Sequence, residues 1–190
     1  RVRAFKLTRP NIIKIICHDI GKHLGCYGIK SVNTNSIDSL AKEGILFNNA
    51  FATSPGCSPS RAAIATGRYP HNTGVLGLAH AHFGWSLDKK IKHIAKYFSS
   101  NDYNSILFGL QHVTYHEETL GFKKIFPERP ADHVIKNIED NIDTIFFKKP
   151  FYAEVNFFEP HRPFDFGGVK SYRSKGVFIP KYIPNNSNIK

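Results

Sequence analysis

The sequence predicts an α/β fold, with a mostly parallel sheet flanked by helices. Short apolar segments of strand character alternate along the chain with segments whose apolar residues recur at helical spacing. The 190 residues are 41% hydrophobic and 22% charged, which provides enough apolar surface for a core and excludes a disordered or collagen-like chain. No run of 18 apolar residues occurs, so we expect no membrane span.

Four short apolar segments are predicted as strands. The first, 11–17, is rich in isoleucine and precedes a glycine-rich loop, as a buried strand of a parallel sheet would. The others lie at 45–51, 105–109 and 151–158.

Four segments are predicted as helices from their spacing and end signals. Residues 34–43 follow a Thr/Asn cap and precede a glycine, and residues 58–66 are small and alanine-rich and end before Gly67. Residues 87–98 and 131–147 carry apolar side chains along one face, and the second of these two patterns is the clearest in the chain.

Polar residues follow the predicted strands at the points where the strands end. In parallel sheets, active sites lie in the loops beyond the carboxyl ends of the strands. The convergence of four such loops therefore predicts an active site, formed by His18 and Asp19, the loop holding Cys57, His112, and His161 with Arg162.

The charge balance favours an anionic partner. Lysine and arginine number 26 against 15 acidic residues, which gives a formal net charge of +11. Nucleic acid, a membrane surface and a sulfated or phosphorylated substrate all fit this charge. We expect no nucleic-acid partner, because no recognition motif accompanies the charge. The histidines at 80, 82, 93, 116 and 133 belong to no motif and are predicted to lie at the surface.

The segment Cys57–Gly67 carries the most specific chemistry. Cys57 lies just before a predicted helix start, and Arg61 follows it by four residues. A helix N-terminus and a guanidinium both favour an anion and would lower a thiol pKa, which makes Cys57 a candidate nucleophile. An inert structural cysteine is the alternative, and Cys17 and Cys26 are predicted to be small apolar filling residues.

The eleven residues Cys-Ser-Pro-Ser-Arg-Ala-Ala-Ile-Ala-Thr-Gly resemble the signature of the type I sulfatases. The resemblance extends over residues 10–28, 35–44 and 67–74, and Phe158–Arg162 is most similar to the N-sulfoglucosamine sulfohydrolase (heparan N-sulfatase) branch. It implies the alkaline-phosphatase-like α/β fold of that family. It also implies that residues 1–190 are the N-terminal part of one catalytic domain, incomplete at the C-terminal end.

The resemblance also implies a mechanism and a set of site residues. Cys57 would be oxidised to formylglycine, whose hydrate attacks sulfur with one hydroxyl and expels sulfate with the other. The implied catalytic residues are Cys57, Arg61, His112 and His161, and the implied substrate-binding residues are His161 and Arg162. Asp19, His18 and Cys57 would hold one divalent cation, calcium, per site. From the residues alone, two alternative roles remain open. Asp19 could cap the helix or loop that follows it, and Arg162 could be an ordinary ion-pair partner.

The implied partners are a sulfated carbohydrate or another sulfate ester, and the formylglycine-generating enzyme during maturation. Within that substrate class the N-sulfo bond of glucosamine is favoured. The family resemblance favours export to a periplasmic, secreted or lysosomal location, although no signal peptide is visible. A phosphate- or phosphonate-ester hydrolase of the same superfamily and a non-catalytic polyanion-binding relative are the two alternatives.

Three departures from the family pattern qualify this prediction. His18 stands where the family has an aspartate, and Leu110 stands where it commonly has a lysine. The Asp and Asn or His ligands that the family supplies from a later strand have no counterpart in residues 165–190. We therefore expect an incomplete metal site, exposed apolar edges and poor solubility for these residues alone.

Overall fold

The sheet contains four parallel strands. A computed structural model describes residues 9–80, 82–145, 150–166 and 179–184. Within these ranges the strand order is β1, β4, β2, β3, and every neighbouring pair is parallel. The strands are β1 (Ile12–Cys17), β2 (Asn104–Gly109), β3 (Lys124–Phe126) and β4 (Phe151–Phe157). The predicted α/β class with a parallel sheet is confirmed.

The register aligns the carboxyl ends of the three longer strands. Cys17 of β1 pairs with Phe157 of β4, and Gly109 of β2 pairs with Asn156 of β4. The chain therefore leaves all three strands at one edge of the sheet, and the loops that follow them emerge side by side.

In the part of the chain that the structure describes, four α-helices accompany the sheet, and their bounds follow the sequence signals with one exception. They are α1 (Asn35–Glu43), α2 (Cys57–Thr66), α3 (Ile94–Ser100) and α4 (Ala131–Ile145). Helix α2 ends at Gly67, whose φ of 68° is the left-handed conformation expected of a glycine at a helix end. Residues 146–147, the predicted end of α4, lie outside the described residues.

Helix α3 begins seven residues later than predicted. The segment before it is tied to other loops, because Leu87 N–H donates to Val113 and Asp88 N–H donates to Thr73. His93 then forms the cap, accepting the Ala95 N–H through Nδ1. The helical spacing of apolar residues before α3 therefore reflects the packing of individual side chains, and the backbone of this segment is not helical.

The predicted strand at 45–51 is wrong. These residues form no strand, and the side chains of Ile45, Phe47 and Phe51 are exposed. The predicted strand rested on apolar content alone, which does not provide a neighbouring strand for hydrogen bonding. Conversely, β3 was not predicted, since its three residues are too short for a periodic pattern.

Helices α3 and α4 cover opposite faces of the sheet. On one face, Val134 and Ile145 of α4 pack with Ile106, Phe108 and Val155. The alternation of side chains along β4 sends Tyr152 to the other face, where it packs with Ala95 and Tyr103. A third group joins α2 to the loops around it through Ala62, Val75, Val113 and Leu120.

A charged cluster is buried beneath α3. Lys14 Nζ lies 2.6 Å from Glu154 Oε1, Tyr152 donates to the same oxygen at 2.5 Å, and His93 Nε2 is 3.8 Å from it. Burial opposes ionisation of Glu154, but Lys14, His93 and Tyr152 together hold its pKa below the usual value. The prediction that His93 lies at the surface is wrong, because its side chain is a buried member of this cluster.

Strand β1 forms one edge of the described sheet and exposes apolar side chains. Ile13 and Ile15 are 57% and 58% exposed, while Lys14 between them turns to the buried cluster. The expectation of an exposed apolar edge is thus confirmed for β1, and the poor solubility remains a prediction. Among the described residues, no helix has the length and apolar character needed to cross a membrane.

Candidate active site

The candidate site lies at the edge of the sheet where β1, β2 and β4 end. His18 and Asp19 follow β1 directly, His112 follows β2 after a short connection, and His161 follows β4. The position of Cys57 differs from the prediction. It is the first residue of helix α2 and follows a loop, not a strand.

Three potential ligands meet at this edge. One ligand atom each from His18, Cys57 and His161 lies within 4.8 Å of the others. The rings of His18 and His161 meet edge to face, with centroids 4.8 Å apart. We call His18, Cys57 and His161 the three-ligand cluster. Its three members come from positions up to 143 residues apart in the chain. The parallel sheet brings His18 and His161 together, and the start of α2 adds Cys57.

Asp19 lies between the two imidazoles of this cluster. Its Oδ1 is 3.5 Å from His18 Nδ1 and its Oδ2 is 3.8 Å from His161 Nε2. The backbone of Asp19 has a φ of 53°, a left-handed conformation that is uncommon for a residue other than glycine. Such conformations concentrate at functional sites, where the surrounding structure holds them.

His18 is the most deeply placed member of the cluster. It is 3% exposed, and its Nε2 has no hydrogen-bond partner within the part of the chain that the structure describes. Burial lowers the pKa of His18, and the nearby Arg61 lowers it further, while Asp19 acts in the opposite direction. His18 is therefore held toward its neutral form.

Cys57 is half-buried and lines a cavity of about 220 Å³ that also contacts Asp19, Ser60 and Arg61. Burial raises the pKa of the Cys57 thiol, and the carboxylate of Asp19 raises it further. The prediction of a lowered thiol pKa is wrong, because these two effects outweigh a backbone hydrogen bond and the charge of Arg61, which both lower the pKa of Cys57. An unassisted thiolate nucleophile is accordingly not what this arrangement favours.

Arg61 is buried one turn along α2 from Cys57. Its Nη1 donates to the Leu110 carbonyl at 3.0 Å, whereas Nη2 has no hydrogen-bond partner among the residues described. Leu110 contributes its backbone oxygen to this contact and buries its side chain. The Leu110 carbonyl therefore fixes the orientation of the guanidinium through Nη1, and Nη2 is still able to donate hydrogen bonds.

His112 lies beside this arrangement, with its ring centroid 6.1 Å from that of His18. Its φ of 60° is again left-handed. Burial, with help from His80 and Arg61, lowers the pKa of His112 to about 4. At neutral pH the ring is therefore uncharged and can both donate and accept a hydrogen bond.

Arg162 belongs to a neighbouring cavity. This cavity, of about 490 Å³, is bounded by Asp19, Arg162, Pro160 and Phe164, among others. The Arg162 carbonyl lies 2.5 Å from His161 Nδ1, which donates to it. The predicted substrate-binding pair thus lies on one loop, with His161 turned toward the three-ligand cluster and Arg162 toward the second cavity.

His80 was missed as a neighbour of the site. It was predicted to be an ordinary surface residue, and it is exposed, but its ring lies 4.9 Å from that of His112 and 4.7 Å from that of Tyr115. Arg129 lowers the pKa of both His80 and His112 electrostatically. No spacing in the sequence signals this approach, because it depends on the path of the loop between α2 and α3.

Comparisons with known proteins agree on one family. The sequence model of the Sulfatase family matches residues 10–171. An ulvan-active sulfatase of Formosa agariphila is 39% identical over 106 residues, covering 55% of this chain and 20% of that protein. Human steryl-sulfatase is 37% identical over 115 residues, covering 56% of this chain and 19% of that protein.

Solved structures give the same result at the level of the fold. A 2-O GAG sulfatase has a TM-score of 0.66 and 25% identity, covering 94% of this chain and 42% of that chain. The phosphonate monoester hydrolase of Agrobacterium radiobacter, at 21% identity and a TM-score of 0.61, shares the fold over 82% of this chain and 42% of that chain.

The chain spans about a fifth of the length of these two curated relatives. The assignment to the N-sulfoglucosamine sulfohydrolase branch stays a prediction. The match to the family model nevertheless extends over far more than half of the 190 residues and includes His18, Cys57, His112 and His161. The chain therefore belongs to the sulfatase family.

Proposed function

We propose that the protein hydrolyses sulfate esters, with Cys57 as the source of its nucleophile. The observation that carries the proposal is the meeting of Cys57, His18 and His161 at one edge of the sheet, with Arg61 close by. The names of the sulfatase relatives support this reaction class.

The surroundings of Cys57 suit conversion to formylglycine. The side chain faces a cavity of about 220 Å³, which leaves room for a hydrated aldehyde, and it sits at the N-terminus of a ten-residue helix. Formylglycine, when formed, supplies a hydroxyl nucleophile that no standard residue offers. The formylglycine-generating enzyme is accordingly a proposed partner during maturation.

Arg61 provides positive charge beside Cys57. Its Nη1 is held by the Leu110 carbonyl at 3.0 Å, so the remaining donors can bind a sulfate oxygen without reorganising. Preorganised donors of this kind are effective because the site excludes water around them. With Leu110 in place of the family lysine, Arg61 carries a larger share of this task.

His112 and His161 are suited to moving protons. His112 is neutral at neutral pH because burial lowers its pKa to about 4, so it can accept a proton from an attacking hydroxyl. His161 donates through Nδ1 to the Arg162 carbonyl, which leaves Nε2 as the nitrogen that can exchange a proton. This nitrogen lies 3.8 Å from Asp19 Oδ2, at the edge of the sheet where a leaving oxygen or nitrogen would lie.

The calcium ion implied by the family resemblance does not fit the residues present. Calcium takes six to eight oxygen ligands. Around the three-ligand cluster the described residues bring one carboxylate, that of Asp19, together with two imidazoles and a sulfur. One carboxylate is too few oxygen ligands for calcium.

We propose a sulfated carbohydrate as the substrate, and the N-sulfo bond of glucosamine within that class. The net charge of +11 supports an anionic substrate. The names of the ulvan-active and 2-O GAG sulfatases support a sugar. Export to a periplasmic, secreted or lysosomal location is part of the same proposal.

The test uses the whole protein as its gene encodes it, produced together with a formylglycine-generating enzyme. Mass spectrometry of the peptide containing Cys57 should show the aldehyde, and an aryl sulfate should be hydrolysed, with no hydrolysis by Cys57→Ala. An unmodified thiol together with retained binding of a sulfated polysaccharide would instead support the non-catalytic relative. Faster hydrolysis of aryl phosphate or phosphonate than of aryl sulfate would favour the alternative suggested by the shared fold of the phosphonate monoester hydrolase.

A further inference from the structure

The three-ligand cluster has a donor set of its own, independent of the hydrolysis proposed above. We propose that the protein with Cys57 unmodified binds a borderline divalent cation, zinc, through His18, Cys57 and His161. Two nitrogens and one sulfur meet within 4.8 Å at one point of the fold. Nitrogen and thiolate donors are the ligands that zinc prefers in proteins, and three of them with one open position is a common zinc arrangement.

The distances require only a small closure of the cluster. Zinc–sulfur bonds of about 2.3 Å and zinc–nitrogen bonds of about 2.0 Å in a tetrahedral site place the donors about 3.5 Å apart. The ligand atoms of the cluster lie within 4.8 Å of one another, so these distances need to shorten by about 1 Å. His161 can close it, because it lies on the loop after β4 and its side chain is 34% exposed, whereas His18 is fixed by burial.

The state of His18 is a second and independent indication of a ligand. The side chain is 3% exposed, and its Nε2 lacks a partner within the described ranges. A buried polar atom without a partner costs free energy that a bound ligand can return. Because Nδ1 already faces Asp19 Oδ1 at 3.5 Å, Nε2 is the nitrogen left for the cation.

Asp19 completes the arrangement. A carboxylate that holds the far nitrogen of a ligating imidazole fixes the tautomer and the ring orientation of that ligand. Asp19 does this for His18, and its second oxygen, 3.8 Å from His161 Nε2, lies close enough to serve as a fourth ligand. With His18 and His161 beside the Cys57 sulfur, this donor set suits zinc better than calcium, which prefers oxygen ligands.

Binding converts the Cys57 thiol to a thiolate and releases its proton to solvent. Zinc and formylglycine therefore exclude each other at this position, since the modification removes the sulfur. The proposal concerns the thiol form alone, so it stands or falls separately from the hydrolysis of sulfate esters.

Cobalt(II) is the probe, because it replaces zinc at such sites and its bond to a thiolate absorbs in the near ultraviolet. The whole protein, with Cys57 shown by mass spectrometry to be a thiol, is stripped of metal and titrated with cobalt. We expect a thiolate–cobalt band at one equivalent, which zinc removes by displacement and which excess calcium leaves unchanged.

The variants identify the ligands. Cys57→Ser should abolish the band, and His18→Asn and His161→Asn should each weaken cobalt binding by about 100-fold or more. Cys17→Ser tests the other thiol at this cavity, and Cys26→Ser and His116→Asn are matched controls outside the cluster, so all three should keep the band. Far-ultraviolet circular dichroism confirms that each variant is folded.

Three results would overturn the proposal. They are a cobalt complex without a thiolate band, a band that survives Cys57→Ser but not Cys17→Ser, and displacement of cobalt by calcium as readily as by zinc. A failure of the modified protein to hydrolyse sulfate esters would affect none of these measurements.

Discussion

Gly109, at the end of β2, lies where the backbone of β2 closely approaches the backbone of β4. Its φ is 83°, and a Cβ atom added there would lie 2.0 Å from the Asn156 carbonyl oxygen of β4. The same oxygen accepts the Leu110 N–H at 3.3 Å, and the Leu110 carbonyl in turn holds Arg61. Gly109→Ala should therefore disturb both the sheet and the site.

The expected loss of stability has three parts. Placing alanine in the left-handed region costs about 1–2 kcal/mol. Separating the two backbones by about 1 Å to relieve the overlap costs about 1–3 kcal/mol more by overpacking, and the weakened Leu110 hydrogen bond adds about 1 kcal/mol. The free energy of unfolding should fall by about 3–6 kcal/mol, a large part of the stability of an ordinary domain.

Gly28 offers a matched control for the first part. Its φ is 89°, and a Cβ atom there would meet nothing within 4 Å. Gly28→Ala should therefore show only the conformational cost, about 1–2 kcal/mol. Urea unfolding followed by circular dichroism measures both variants. A loss for Gly109→Ala no greater than that for Gly28→Ala would refute the close approach of β2 and β4.

Three further predictions follow from buried charges. Arg61→Lys removes the second arm of the guanidinium and should lower kcat for aryl sulfate by about 100-fold, measured on formylglycine-containing protein. Lys14→Met leaves the buried Glu154 carboxylate without its cation and should lower the free energy of unfolding in urea by about 3 kcal/mol, whereas Lys136→Met at an exposed pair should change it by about 0.5 kcal/mol or less. Burial lowers the pKa of His93 to about 4, below its unfolded value of about 6.5. The unfolded chain therefore takes up the proton first, stability falls as the pH drops from about 6.5 to about 4, and His93→Asn, which keeps a capping acceptor, should flatten that slope.

The motif that begins at Cys57 could be predicted almost completely because its determinants are local. The small residues and the glycine that ends them define α2, and the four-residue spacing alone places Arg61 one turn from Cys57. The charge state of the thiol could not be predicted in the same way. It depends on burial and on Asp19, which arrives from another strand.

The meeting of His18 and His161 could also be predicted, but for a different reason. Parallel strands that end at one edge bring their following residues together whatever the length of chain between them. No such rule predicts which residues lie beside His112. His80 reaches it from an irregular loop, and the strand expected at 45–51 was absent because apolar residues alone do not determine which strand, if any, lies beside them.

The pairing of β1 with β4 also sets the time at which the site can form during synthesis. Cys57 leaves the ribosome about 100 residues before the end of β4, an interval of about 5–20 s at ordinary rates of translation. Throughout that interval the first strand lacks its hydrogen-bonding neighbour, and His161 does not yet exist. The nascent Cys57 segment is then without one of its two histidine neighbours, which arrives only after β4 is complete.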